Sequence, residues 1–105
     1  MPDIHITQDD KGRTFNANQG DRIVVRLAEN PTTGYEWELE ANDSPVLEFL
    51  DSNYSPDPGG LMGSGGTRTF RFQTKSLGSQ QIKLGYRRSW ENVAAEHFDV
   101  NIRVQ

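Results

Sequence analysis

His97-Phe98-Asp99-Val100-Asn101-Ile102-Arg103-Val104 alternates polar and apolar residues without a break. Successive side chains of a strand point to opposite faces, so Phe98, Val100, Ile102 and Val104 share one face and the polar residues share the other. The same alternation recurs along the chain. Ile4 and Ile6 sit between Asp3, His5 and Thr7, and Phe15 lies in a short segment after the turn Asp9-Asp10-Lys11-Gly12. Ile23, Val25 and Leu27 alternate with Arg22, Val24 and Arg26, and Trp37 and Leu39 with Glu36, Glu38 and Glu40. Val46 to Leu50 forms a short apolar run. Phe70 and Phe72 alternate with Thr69, Arg71 and Gln73, and Ile82, Leu84 and Tyr86 with Gln81, Lys83 and Gly85. No window shows helical periodicity. Seven or eight short strands, each with one apolar and one wet face, predict antiparallel sheets. Two such sheets must cover each other's apolar faces. The fold expected is therefore all-β: an immunoglobulin-like antiparallel β-sandwich, with a small closed barrel as the alternative.

Composition narrows the function. The chain has 105 residues, enough for one domain spanning 1–105 and one core. It has no cysteine, which excludes a disulfide scaffold, a zinc knuckle and a thiol nucleophile. A net charge of −4 lacks the basic field that nucleic acid or an anionic membrane would need. Met1-Pro2-Asp3-Ile4-His5 has neither a charged n-region nor an apolar h-region, so a cytoplasmic location is the expectation. His5 and His97 alternate with inward apolar residues and should face solvent, with no evident acid partner, which argues against a Ser-His-Asp arrangement. Neither histidine belongs to a metal-ligand pattern, and no cofactor is expected.

Three loop segments are richer than strand connections require. In Asn30-Pro31-Thr32-Thr33-Gly34-Tyr35, Pro31 fixes φ, Gly34 permits a positive φ, and the two threonines are stiff at χ1. A rigid tip bearing small polar groups is expected; taken alone, the segment reads equally well as a well-made turn. Asp51 to Thr67 is long and rich in glycine and proline, and contains Gly63-Ser64-Gly65-Gly66. Its glycines would let a backbone lie close to another backbone, although alone it reads as a hairpin end. No Lys-Ser/Thr follows, so it is not a phosphate loop. In Tyr86-Arg87-Arg88-Ser89-Trp90-Glu91, Trp90 lies beyond the inward alternation and is expected to be exposed beside Arg88, a hot-spot composition. Folding back to cap the end of the sandwich is the alternative for Trp90. Tyr35 and Trp37 share the inward face and should support the first loop, and Glu36, Glu38 and Glu40 read as a solvated face.

In this order and spacing, Asn30-Pro31-Thr32-Thr33-Gly34-Tyr35 with Trp37, then Gly63-Ser64-Gly65-Gly66, then Arg88-Ser89-Trp90 resemble the chagasin family of cysteine-peptidase inhibitors. The resemblance implies a sandwich that presents three neighbouring loops to the active-site cleft of papain-like peptidases. Asn30, Pro31, Thr32, Thr33 and Gly34 would sit over the catalytic pair. Gly63, Ser64, Gly65 and Gly66 would lie along the non-primed side, and Arg88, Ser89 and Trp90 would cover the primed side. The family's third motif carries Pro where this chain has Ser89, which implies a less restrained loop. The implied partner is a protein, the implied interface about 1,600 Å² in total, and a monomer is expected. The rival reading is a non-inhibitory binding module, a carbohydrate-binding or adhesion sandwich, with Trp90, Tyr54 and Tyr35 as an aromatic platform.

Overall fold

The computed structural model describes residues 3–40, 45–57 and 65–105. Eight strands are present: β1 Asp3–Thr7, β2 Thr14–Ala17, β3 Arg22–Glu29, β4 Tyr35–Leu39, β5 Leu47–Pro56, β6 Gly66–Thr74, β7 Gly78–Arg88 and β8 Glu96–Val104. They form two four-stranded sheets, β1-β3-β6-β5 and β2-β8-β7-β4, packed as a sandwich. The only helical segments among the described residues are 3-10 turns at Gln8–Asp10 and Pro31–Thr33.

The core follows the alternation. Ile6, Ile23, Val25, Leu27, Phe70 and Phe72 of the first sheet meet Trp37, Ile82, Leu84, Phe98, Val100 and Ile102 of the second. Val24, expected on the wet face, is buried because β3 is an interior strand, flanked in register by His5 of β1 and Arg71 of β6.

Two features depart from the expected pattern. The sheets are mixed: β1 pairs in parallel with β3, and β2 in parallel with β8. The remaining pairings are antiparallel. Parallel strands need a long crossover, and the chain supplies one by leaving β1, adding β2 to the opposite sheet and returning as β3. Alternation reports which face is buried and carries no information on direction. Secondly, Asp51 to Pro56 is strand rather than loop. β5 pairs along its length with β6, with a register shift between Phe49 and Asp51. As an edge strand it is exposed or half-exposed over this stretch, so its polar residues show no period of two.

The topology gathers one end of the molecule. β3 ends at Glu29 and β4 starts at Tyr35, β5 ends at Pro56 and β6 starts at Gly66, and β7 ends at Arg88. Glu29 lies opposite Gly66 in the first sheet, and Tyr35 lies opposite Arg88 in the second.

Candidate functional site

The first loop is a closed hydrogen-bonded unit. Asn30 caps the 3-10 turn: its Oδ1 accepts from Thr32 N–H at 3.1 Å and from Thr32 Oγ1–H at 2.6 Å. Its carbonyl accepts from Thr33 N–H at 3.2 Å and from the Thr33 hydroxyl at 2.7 Å. Gly34 N–H donates to Pro31 O at 3.0 Å, and Gly34 ends the turn at φ +84°. That left-handed conformation explains the glycine. Pro31, Thr32 and Thr33 are exposed.

Aromatics support this loop from beneath. Tyr86 stacks between Trp37, at 4.7 Å between centroids, and Tyr35, at 5.2 Å. The Tyr86 hydroxyl oxygen accepts from Asn30 N–H at 3.2 Å, and Trp37 Nε1–H donates to Ala28 O at 2.9 Å. Tyr35 and Trp37 are therefore supports, as expected from their shared face.

The other two loops touch the first from either side. A Cβ placed on Gly65 would lie 3.0 Å from Glu29 O and 3.3 Å from Asn30 Cβ. A Cβ placed on Gly34 would lie 3.1 Å from Trp90 Cη2. Gly66 is buried at the root of the second loop, where any side chain would overlap the Ser55 carbonyl oxygen and lie 2.7 Å from Pro56 Cα. Within the domain its close backbone approach is to β5. Gly63 and Ser64 lie outside the described residues.

Trp90 is 70% exposed, so it does not cap the sandwich; only its ring edge rests on Gly34. The third loop is a β-turn in which Glu91 N–H donates to Arg88 O at 3.1 Å, so Ser89 occupies the second position. The Arg88 guanidinium lies 4.6 Å from the Tyr35 ring centroid and 5.8 Å from that of Trp90. Its Nη1 is 3.3 Å from Glu91 Oε1. Arg88 thus bridges the root of the first loop and the Trp of the third.

The structure joins residues that the sequence reading left apart. Glu29 and Arg68 continue the inward series Ile23-Val25-Leu27 and Phe70-Phe72, a charge of each sign on a buried face. The Glu29 side chain is wholly buried and pairs with Arg68 Nη2 at 2.8 Å. Burial disfavours the Arg68 charge, but the hydrogen bond and charge of Glu29, helped by Glu36, outweigh it and raise its pKa. The glutamates of β4 and the one just after it are partnered as well as solvated: Glu36 with Arg68 at 3.0 Å, Glu38 with Arg87 at 2.6 Å, and Glu40 with His97 at 3.3 Å. His97 therefore has an acid neighbour that sequence reasoning missed. Of the three aromatics weighed as a sugar platform, Trp90 is exposed, while Arg88 lies over Tyr35 and Arg68 lies 5.8 Å from the Tyr54 ring centroid, so each tyrosine carries a cation against one face.

The chain is similar to known proteins over most of its length. A family model described as chagasin family peptidase inhibitor I42 matches residues 16–102. Chagasin of Trypanosoma cruzi is 30% identical over 104 residues, covering 93% of this chain and 94% of its own. The crystal structure of the cysteine protease inhibitor EhICP2 from Entamoeba histolytica superposes with a TM-score of 0.86 at 24% identity, covering 99% of this chain and 96% of that one. PbICP-C, solved in complex with falcipain-2, shares the fold with a TM-score of 0.70 at 15% identity, over 97% of this chain and 99% of that one.

Proposed function

The chain belongs to the chagasin family, whose members inhibit cysteine peptidases and are not enzymes, and from that premise we propose that it reversibly occludes the cleft of papain-like peptidases with three loops acting as one ridge. The observation that carries this reading is the contiguity of the loops: Gly65 packs on Asn30, and Trp90 on Gly34. The falcipain-2 complex of PbICP-C supports a protein partner for a sandwich of this shape.

The chemistry required is exclusion. Hydrolysis needs a carbonyl carbon at near-attack distance from the thiolate, with donors at the oxyanion position. Thr32 and its neighbours form a 3-10 turn closed on itself, with Gly34 N–H bonded to Pro31 O and Thr33 N–H to Asn30 O. Such a tip fills a cleft without offering an extended scissile peptide. A loop already fixed by its own hydrogen bonds loses little entropy on docking, and an exposed Trp supplies apolar area to be desolvated.

A titration of papain with the purified domain, beside Thr32→Arg and with a serine peptidase as control, tests the reading. Inhibition of papain alone, abolished in Thr32→Arg and reversed on dilution without cleavage of the domain, is the expected result. Full inhibition by Thr32→Arg would remove the first loop from the active site. A clipped product accumulating with time would replace the wedge with a substrate-like mode.

A further inference from the structure

We propose that Glu29 and Arg68 are positioning residues for inhibition: a buried ion pair that sets the first and second loops at a fixed distance from each other. The inference rests on the inhibitor reading above and adds to it a pair that lies outside the three loop motifs.

Position is the first argument. Glu29 is the last residue of β3 and immediately precedes Asn30. Arg68 stands two residues after Gly66, at the start of β6. Trp37 stands three residues after Gly34, in β4 of the opposite sheet. All three meet at one carboxylate. Glu29 Oε1 accepts from Trp37 N–H at 2.7 Å and from Arg68 Nε–H at 3.2 Å, and Oε2 accepts from Arg68 Nε–H at 3.1 Å and Nη2–H at 2.8 Å. The guanidinium continues outward to Glu36 Oε1 at 3.0 Å and Ser52 Oγ at 3.4 Å. One cluster therefore ties β3, β4, β5 and β6 together beneath the loops.

Energetics is the second argument. The Glu29 side chain has no exposed area and that of Arg68 has 15%. Desolvating two charges offsets most of their attraction, and apolar pairs of similar volume often serve stability equally well. What an apolar pair cannot supply is direction. The bidentate fork fixes the angle between Arg68 and Glu29, and the Trp37 N–H bond fixes the start of β4 across the sandwich. Gly65 approaches Glu29 O and Asn30 Cβ closely at this same point. A shift of the pair would open the seam between the two loops while leaving the core of Phe72, Leu84 and Ile102 intact.

The test separates positioning from stability. The variants are Glu29→Gln, the double variant Glu29→Leu with Arg68→Met, and Ile102→Val as a core control. Each is measured well below its own unfolding midpoint, by amide hydrogen exchange of the free domain and by inhibition of papain. The double variant should exchange the Thr33 and Gly34 amides ~10-fold faster or more, with the β7–β8 ladder unchanged. It should inhibit ~10-fold more weakly or worse, through lost preorganisation. Glu29→Gln keeps an acceptor for Trp37 N–H and should fall between it and the wild type. Ile102→Val should change neither readout. Unchanged loop exchange in the double variant, or an equal change in Ile102→Val, would overturn the proposal. If the wild-type domain fails to inhibit papain, the inhibitor reading falls on that result alone, and the exchange data still decide whether the pair positions the loops.

Discussion

Gly34 and Trp90 meet at the centre of the site, and each constrains the other. Gly34 holds φ at +84°, and the Trp90 ring edge occupies the space that a Cβ would press upon. Gly34→Ala should cost about 1 kcal/mol of stability from the left-handed backbone and also push Trp90 from its seat. Thermal unfolding and papain inhibition measured together should both worsen; unchanged inhibition would mean that the Trp90 seat is irrelevant to binding. Trp90→Ala isolates the other half. The side chain is 70% exposed, so the unfolding midpoint should barely move. The inhibition constant should rise by the equivalent of about 2–4 kcal/mol, as for a hot-spot aromatic. A domain that unfolds instead would make Trp90 a structural residue. At this scale the sequence was readable where a residue type answers a backbone demand, as at Gly34 and Pro31. Glu29 and Arg68 were readable in principle, since both extend inward-facing series, but alternation weighs apolar residues and passes over a charge at the end of such a series.

Among the elements, the third loop differs most from the pattern it resembles. Arg88 to Glu91 is a β-turn closed by a 3.1 Å bond, with Ser89 at the position where Pro pre-sets φ. Arg88, held against Tyr35 and paired with Glu91, supplies a restraint that Ser89 does not. Ser89→Pro should therefore tighten inhibition only modestly, by ~2–5-fold, through a smaller entropy loss on docking. Surface plasmon resonance against papain would show this as slower dissociation. A weaker complex would mean that the bound turn needs another φ at this position. The elements themselves were legible from period-two alternation, with two exceptions that share a physical cause. β5 is an edge strand whose outer half buries little, so nothing selects an apolar face there. The direction of β1 and β2 depends on the crossover between sheets, which side-chain pattern does not encode.

The whole molecule is a scaffold whose core lies between the sheets and whose three proposed binding loops lie at one end. Truncating a core residue should therefore lower stability without altering the site. Phe72 has no exposed area, and Phe72→Ala should cost about 3–5 kcal/mol. The fraction that remains folded, quantified by near-UV circular dichroism, should inhibit as the wild type does. A loss of inhibition beyond the unfolded fraction would show that the core and the loops are coupled. The Arg68 pKa is raised, chiefly by Glu29 against the cost of burial, so the guanidinium stays charged at every pH below its ordinary value and loses its charge only as pH climbs through the raised one. Between about pH 7 and 9, the difference in unfolding midpoint between wild type and the double variant Glu29→Leu with Arg68→Met should stay constant. A difference that shrinks with rising pH would contradict that protonation state.

On the proposal above, the three loops act as a single ridge against the peptidase. Hydrogen-exchange footprinting of the domain, free and saturated with papain, tests it most directly. New protection should be confined to residues 30–34, the second loop through Gly65, and residues 88–91. Protection along the β5 edge or at the opposite end of the sandwich, with the three loops unchanged, would contradict it.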